Sequence, residues 1–204
     1  MAQLSYNSGG STMTTDIDRI IPYVIDAYRS GAYPMAEDGA IQFFKNNPRW
    51  ILDLDHIHIP QRMMRYHRSC RFEMKVDTQF RTVVERCRAD RPEWISDDLI
   101  ELYVALHERG HAHSVEAWKD GELVGGLFGN QFGAAFLAES MAHTLSHASN
   151  SCIIYLIERL RAGGFKLCDI QYPNDHTMRF KPVPIKLKEF EKRFKAAVNS
   201  EAQF

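Results

Sequence analysis

An α+β fold, a central mixed sheet flanked by helices, is predicted by three features of this 204-residue chain. Short segments alternate apolar and polar residues, as Phe72, Met74 and Val76 do, beside longer ones of helical spacing, such as Ile153, Leu156, Ile157 and Leu160. Two extended runs, Ser114 to Trp118 and Leu123 to Phe128, are joined across Asp120-Gly121, a strong hairpin signal. Strands are then followed by a helix and another strand, the order of an α+β chain.

Taking the elements in order, Asp16 or Asp18 is expected to cap a helix over Ile20, Ile21, Val24, Ile25 and Tyr28, with Pro22 in its first turn and Gly31 ending it. Tyr33-Pro34 and Phe43-Phe44 follow among turn residues. One helix with short extended pieces is too small for a core of its own. Residues 13–49 therefore read as a small N-terminal domain packed on a main domain of residues 50–204, and 1–12 as a disordered lead-in. Trp50 to Ile59 alternates as a strand into Pro60, a good first helical residue.

Arg62, Arg65, His67, Arg68 and Arg71 then crowd one helix, either as a solvated face or as a phosphate-binding patch. Phe80, Val83, Val84 and Cys87 form a helix face. Ser96 caps the next helix, through Ile100, Tyr103, Val104 and His107 to Gly110, and Trp94 in the loop between reads as core or lid. His107, His111 and His113 have no carboxylate or cysteine at ligand spacing, so they read as packing residues and no metal site is expected. Gly125-Gly126 inside a strand implies a bulge or close backbone approach by a ligand.

A third strand, Ala134 to Ala138, delivers Glu139-Ser140-Met141. The helix Ala148 to Arg161 stops at Gly163-Gly164. In the strand that follows, Asp169 and Gln171 share a face with Leu167, while Cys168 and Ile170 point the other way. A buried carboxylate costs several kcal/mol unless it is paired or hydrogen-bonded.

Composition sets the class. With 45% hydrophobic and 25% charged residues, the chain has the profile of an ordinary soluble protein. Its longest apolar run is far too short for a bilayer, and residues 1–16 lack the basic and apolar regions of a signal peptide. The four cysteines are scattered, which favours reduced thiols over bridges or a zinc cluster and fits the cytoplasm. A net charge of −1 creates no global field for nucleic acid, so any such contact must be local.

The run Glu139-Ser140-Met141, Ala148-Ser149, Gly163-Gly164, Asp169, Gln171 and Asn174-Asp175-His176-Thr177 resembles the core of the bacterial leucyl/phenylalanyl-tRNA–protein transferases. Gly110-His111-Ala112-His113-Ser114-Val115-Glu116, Leu123-Val124-Gly125-Gly126, Ala27-Tyr28, Gly31 and Tyr33-Pro34-Met35 match in the same order. The similarity covers roughly residues 17 to 195. It implies a GNAT-like acyltransferase core and passage of a leucine- or phenylalanine-like residue from aminoacyl-tRNA to the N-terminal amine of an acceptor protein. It further implies that the product is marked for N-degron proteolysis.

Carried over residue by residue, the resemblance makes Asp169, Gln171 and Glu139 catalytic. Gln171 would orient the attacking amine, Asp169 would polarise that amide, and Glu139 would contact the donor's amino group. Leu127, Met141, Ile153, Leu156 and Leu160 would form the apolar aminoacyl pocket, or plain core. Arg62, Arg65 and Arg68 would hold the acceptor stem, with the Trp94 ring against the terminal adenosine. Asn174 and His176 fall on the acceptor side. No cofactor is implied, and the partners are aminoacyl-tRNA and a protein N-terminus, acted on by a monomer without a membrane.

Two alternatives stand beside it. A coenzyme A-dependent acetyltransferase of this fold needs a glycine-rich pyrophosphate loop, and no glycine lies between Glu139 and Asn150. A non-catalytic tRNA- or degron-binding relative is favoured by the altered 177–182 segment but not by the retention of Asp169 and Gln171. The family reads Ser-Leu-Gly-Ala where this chain has Arg179-Phe180-Lys181-Pro182, and Lys where it has Asn150. The first of these touches the acceptor side most directly.

Overall fold

The computed structural model describes residues 13–37, 40–69, 71–90 and 94–204, so the expected lead-in 1–12 and Cys70 lie outside the described residues. Helix α1 (Met13–Arg29) leads into a separate hairpin, β1 (Tyr33–Glu37) and β2 (Ala40–Phe44). Then come β3 (Arg49–Leu52), α2 (Gln61–Arg68), β4 (Glu73–Val76), α3 (Phe80–Asp90) and α4 (Asp97–Glu108). The chain continues through β5 (Ala112–Lys119), β6 (Glu122–Phe132), β7 (Ala135–His143), α5 (Ala148–Ala162) and β8 (Leu167–Gln171). It ends in α6 (Asp175–Met178), β9 (Val183–Ile185) and α7 (Leu187–Val198).

A seven-stranded sheet runs in the order β4-β5-β6-β7-β8-β3-β9. Every neighbouring pair is antiparallel except β7 and β8, which α5 joins as the long crossover that parallel strands require. The β5–β6 turn uses Asp120 and Gly121 at φ 53° and 83°, the paired left-handed conformation of a tight hairpin. Ser96 Oγ accepts from the Leu99 N–H at 3.2 Å, capping α4 as expected.

Helices cover both faces of the sheet. At Gly125 a Cβ would lie 2.6 Å from the Ala148 Cβ of α5, and at Gly126 2.8 Å from Val83 Cγ2 of α3. Successive strand residues point to opposite faces, so the two glycines let one helix approach on each side. Helix packing, rather than a ligand, is what comes close here. The adjacent bulge falls at Val124, where Ala117 pairs Gly125 and Trp118 pairs Leu123.

Ile21, Val24 and Tyr28 of α1 are buried in the same core cluster as Val83 of α3, Leu99 and Leu106 of α4, and Phe190 and Phe194 of α7. The opposite face holds α5 and α2 with Leu127, Phe136, Ile154, Ile157 and Phe180.

Several boundaries differ from expectation. Helix α1 begins at Met13, so Asp16 and Asp18 lie inside it rather than before it, and Pro22 is interior. The strand expected over Trp50 to Ile59 runs only from Arg49 to Leu52. The Asp53 carboxylate then accepts from the Asp55 and His56 N–H groups at 3.2 and 3.4 Å, a local turn that competes with strand pairing. Strand β7 continues to His143, so Glu139-Ser140-Met141 is part of it.

The histidines act as ring partners. His107 stacks on Phe80 and His111 on Phe132, while His113 stacks on Phe204 and bonds Asp77 at 2.7 Å. In the 179–182 segment Phe180 is fully buried, and Lys181 takes φ 52°, a conformation that glycine adopts without steric cost and a residue with a side chain does not. No helix among the described residues is long and apolar enough to cross a membrane.

Candidate active site

The site forms where β7 and β8 part. They pair only from Ala135↔Leu167 to Leu137↔Asp169, and beyond that point two irregularities turn side chains into the gap. On β7, Phe128 pairs Ser140 and Gly129 pairs Ala138, which leaves Glu139 as the extra residue of a bulge. On β8, Trp50 pairs Gln171 and Ile51 pairs Asp169, so Ile170 is the extra residue. Gln171 then takes φ 57°, a left-handed conformation uncommon for a residue with a side chain.

A buried clamp holds that conformation. Arg49 and Asp169 are both fully buried. Arg49 Nε donates to Asp169 Oδ1 and Oδ2 at 2.9 Å each, and Nη2 donates to Oδ2 at 2.5 Å. Nη1 donates to the Gly31 carbonyl at 2.9 Å and to Asn46 Oδ1 at 3.3 Å. The rings of Tyr33 and Phe190 face the guanidinium at 4.9 and 4.6 Å, a cation–π environment. Asp169 Oδ1 also accepts the Gln171 main-chain N–H at 2.9 Å, and Asn46 Nδ2 donates to the Gln171 carbonyl at 2.9 Å. Both main-chain groups of Gln171 are thus fixed by this cluster. The contact between Asp169 and Gln171 runs through the main chain, not through the side-chain amide as expected.

The Gln171 amide faces Glu139. Its Nε2 donates to Glu139 Oε2 at 2.9 Å, and a carboxylate can only accept, which assigns the amide's orientation. Glu139 Oε1 accepts from the Tyr28 hydroxyl at 2.9 Å and Asn130 Nδ2 at 2.8 Å, and Oε2 from the Tyr103 hydroxyl at 3.5 Å. Burial pushes the Glu139 carboxyl above its ordinary range, while the bonds from Gln171, Tyr28 and Asn130 pull it back in part. Burial first, and then the charge of Glu139, raise Tyr28 and Tyr103 well above their usual value, so both remain proton donors at neutral pH.

Glu139 and Gln171 form the polar end of a cavity of about 240 Å³. Leu52, Leu127, Met141, Ile153, Leu156 and Ile170 make the apolar wall, with Tyr33, Met35 and Trp94 also lining it. The cavity is smaller than the roughly 300–1,000 Å³ of pockets for drug-sized ligands, a scale that suits a single apolar side chain.

Four of the five expected pocket residues therefore meet. The fifth, Leu160, lies one turn beyond Leu156 on α5, fully buried in the core and away from this wall. Asn174 reaches the cavity while its Oδ1 caps α6, accepting from the His176 and Thr177 N–H groups at 3.0 Å each. His176 does not line the cavity; its ring is edge-on to His143 at 5.5 Å. Arg62, Arg65 and Arg68 are exposed on α2, which packs against α5.

The family model described as leucyl/phenylalanyl-tRNA protein transferase matches residues 51–195, which include Glu139, Asp169 and Gln171. The chain belongs to this family. It is 41% identical over 184 residues to the leucyl/phenylalanyl-tRNA–protein transferase of Gloeobacter violaceus, covering 89% of this chain and 95% of that one. The protein of the same name from Herpetosiphon aurantiacus is 40% identical, with 89% and 95% covered, and that of Salinibacter ruber 39%, with 86% and 79%.

Several members of the site escape the sequence reading. Tyr28 and Tyr103 read as apolar helix residues, and Asn130 falls beyond the strand expected over Leu123 to Phe128. Arg49 and Asn46 lie ahead of the matched segment, where the expected domain boundary passes. An arginine directly before the apolar Trp50-Ile51-Leu52 is the one available signal, since a charge entering a buried strand needs a partner.

Proposed function

We propose that this member of the leucyl/phenylalanyl-tRNA–protein transferase family passes leucine or phenylalanine from aminoacyl-tRNA to the N-terminal amine of an acceptor protein. The observation that carries this reading is an apolar cavity closed at its polar end by Glu139 and Gln171. The donor's side chain enters the cavity and its ammonium meets Glu139. Anchored through Nε2, Gln171 keeps Oε1 to accept from the attacking amine and orient its lone pair. The amine forms the new amide bond, the ester bond breaks, and the terminal ribose oxygen leaves with the proton the amine gives up. Since the ester is already activated, no covalent enzyme intermediate is needed.

Asp169 acts from behind, holding the Gln171 main chain with Arg49. The exposed arginines of α2 take phosphates of the acceptor stem, Trp94 covers the terminal base, and Asn174 and His176 belong to the acceptor side. Parting of the parallel pair β7–β8 supports a GNAT-like core. Residues 13–49 act as a small domain that closes the cavity through Tyr33 and Met35 on the main domain 50–204. The enzyme works as a cytoplasmic monomer and its product enters N-degron proteolysis.

Incubation with radiolabelled leucyl-, phenylalanyl- and methionyl-tRNA and peptides of varied N-terminus tests the reading. Transfer of the first two to peptide amines is expected; no transfer from any donor overturns it.

The pH profile provides a second check. Because burial raises Glu139, the free enzyme protonates it at a pH where ordinary carboxylates are still ionised. Transfer with respect to donor, kcat/KM, should therefore fall as pH drops through that raised value. A bound ammonium favours the carboxylate, so the acid limb of kcat should lie at lower pH than that of kcat/KM. Glu139→Gln should be slower and lose this limb; an unchanged limb would assign it to another group.

A further inference from the structure

Away from the cavity, three distant stretches of chain meet at a groove of about 480 Å³ lined by Pro60, Arg62, Met63, His147 and Arg179. Arg62 comes from the first turn of α2, His147 directly precedes α5, and Arg179 directly follows α6. The side chains of Arg62 and Arg179 are exposed and make no hydrogen bond or ion pair among the described residues. No carboxylate is among the described residues that line the groove. The His147 ring is held against Tyr66 at 4.3 Å. Helix α6 joins the groove to the active site, for its Thr177 and its capping residue Asn174 line the aminoacyl cavity.

We propose that this groove is a phosphate seat for the donor tRNA, in which Arg179 adds a contact to those of α2. The inference rests on the reading of α2 as the acceptor-stem patch. It reassigns the departure at residue 179, where the family pattern has serine, from the acceptor side to the donor side. Charge decides between the two. An acceptor N-terminus arrives as a cation, which a groove with two unpaired guanidinium groups repels. A phosphodiester arrives as an anion, and the guanidinium fork matches its oxygens in a bidentate fashion. Position agrees, since a donor whose aminoacyl end lies in the cavity leads its backbone past α6.

Binding of deacylated leucine tRNA to the full chain, followed by fluorescence anisotropy across a salt series, tests this. Arg179→Ser should lower affinity about threefold to tenfold near physiological salt. It should also reduce the slope of log K against log salt by about 0.7–0.9, the value for one phosphate. Arg179→Lys should keep the slope while losing part of the affinity, because charge remains and the fork does not. The triple variant Arg62→Gln, Arg65→Gln, Arg68→Gln should lose more of the slope than Arg179→Ser.

A parental slope in Arg179→Ser beside a flattened triple variant would overturn this inference alone. So would a raised KM for the acceptor peptide with tRNA binding unchanged. A triple variant with the parental slope, or no salt-dependent binding by the parent, would overturn the acceptor-stem reading together with this inference.

Discussion

Asp169→Asn is expected to melt far below the parent protein. The substitution leaves Arg49 charged in a site where both side chains are fully buried, with a carboxamide in place of the carboxylate that took three of its contacts. Removing one partner of a buried ion pair costs about 3–5 kcal/mol, because the other charge stays uncompensated. In a chain of this length each kcal/mol shifts the midpoint by roughly 2–4 °C, so a fall on the order of 10 °C is expected in a thermal melt. Arg49→Met should fall comparably. The double variant should lose much less than the two single losses together, since no unpaired charge remains. Transfer per folded molecule should also drop in Asp169→Asn, because the Gln171 N–H is held by the altered carboxyl. A melt within a degree or two of the parent would show that the pair does not hold this part of the fold.

Gln171→Ala is expected to show the opposite balance. The Gln171 side chain lines the cavity, where its amide donates to Glu139 at 2.9 Å. Truncation should leave the melt close to the parent's. The left-handed backbone at residue 171 persists, and alanine tolerates it about as poorly as glutamine does. Single-turnover transfer should fall by about two orders of magnitude, the usual scale for losing a group that positions or relays a proton in the transition state. Donor affinity should change little, since the apolar wall and α2 are intact. The coupled partner is Glu139 rather than Asp169. Combining Gln171→Ala with Glu139→Gln should therefore cost much less than the two effects summed, because both act on the one Gln171–Glu139 contact. Full additivity would mean that the two groups serve separate steps. Unimpaired transfer by Gln171→Ala would remove the amide from the mechanism.

What the sequence by itself determined is the local order of the fold and the family to which the chain belongs. The Ser96 cap, the Asp120-Gly121 turn and the apolar spacing of α5 each depend on residues within a few positions of one another, so they can be read without the rest of the chain. Glu139, Asp169 and Gln171, and the cavity residues Leu127, Met141, Ile153 and Leu156, were legible through the family resemblance.

Only the tertiary structure decided which of these touch. Leu156 and Leu160 have the same helical spacing, yet one lines the cavity and the other is core, because the wall ends within a turn of α5. Arg49 reads as an ordinary basic residue until the fold pairs it with Asp169, 120 positions away, and the same contact reveals a carboxylate that acts on main chain rather than on an amide. Gly125 and Gly126 suggested a bulge or the approach of a ligand, because a missing side chain states only that something comes near. What comes near is set by packing, and packing joins parts of the chain that no local pattern connects.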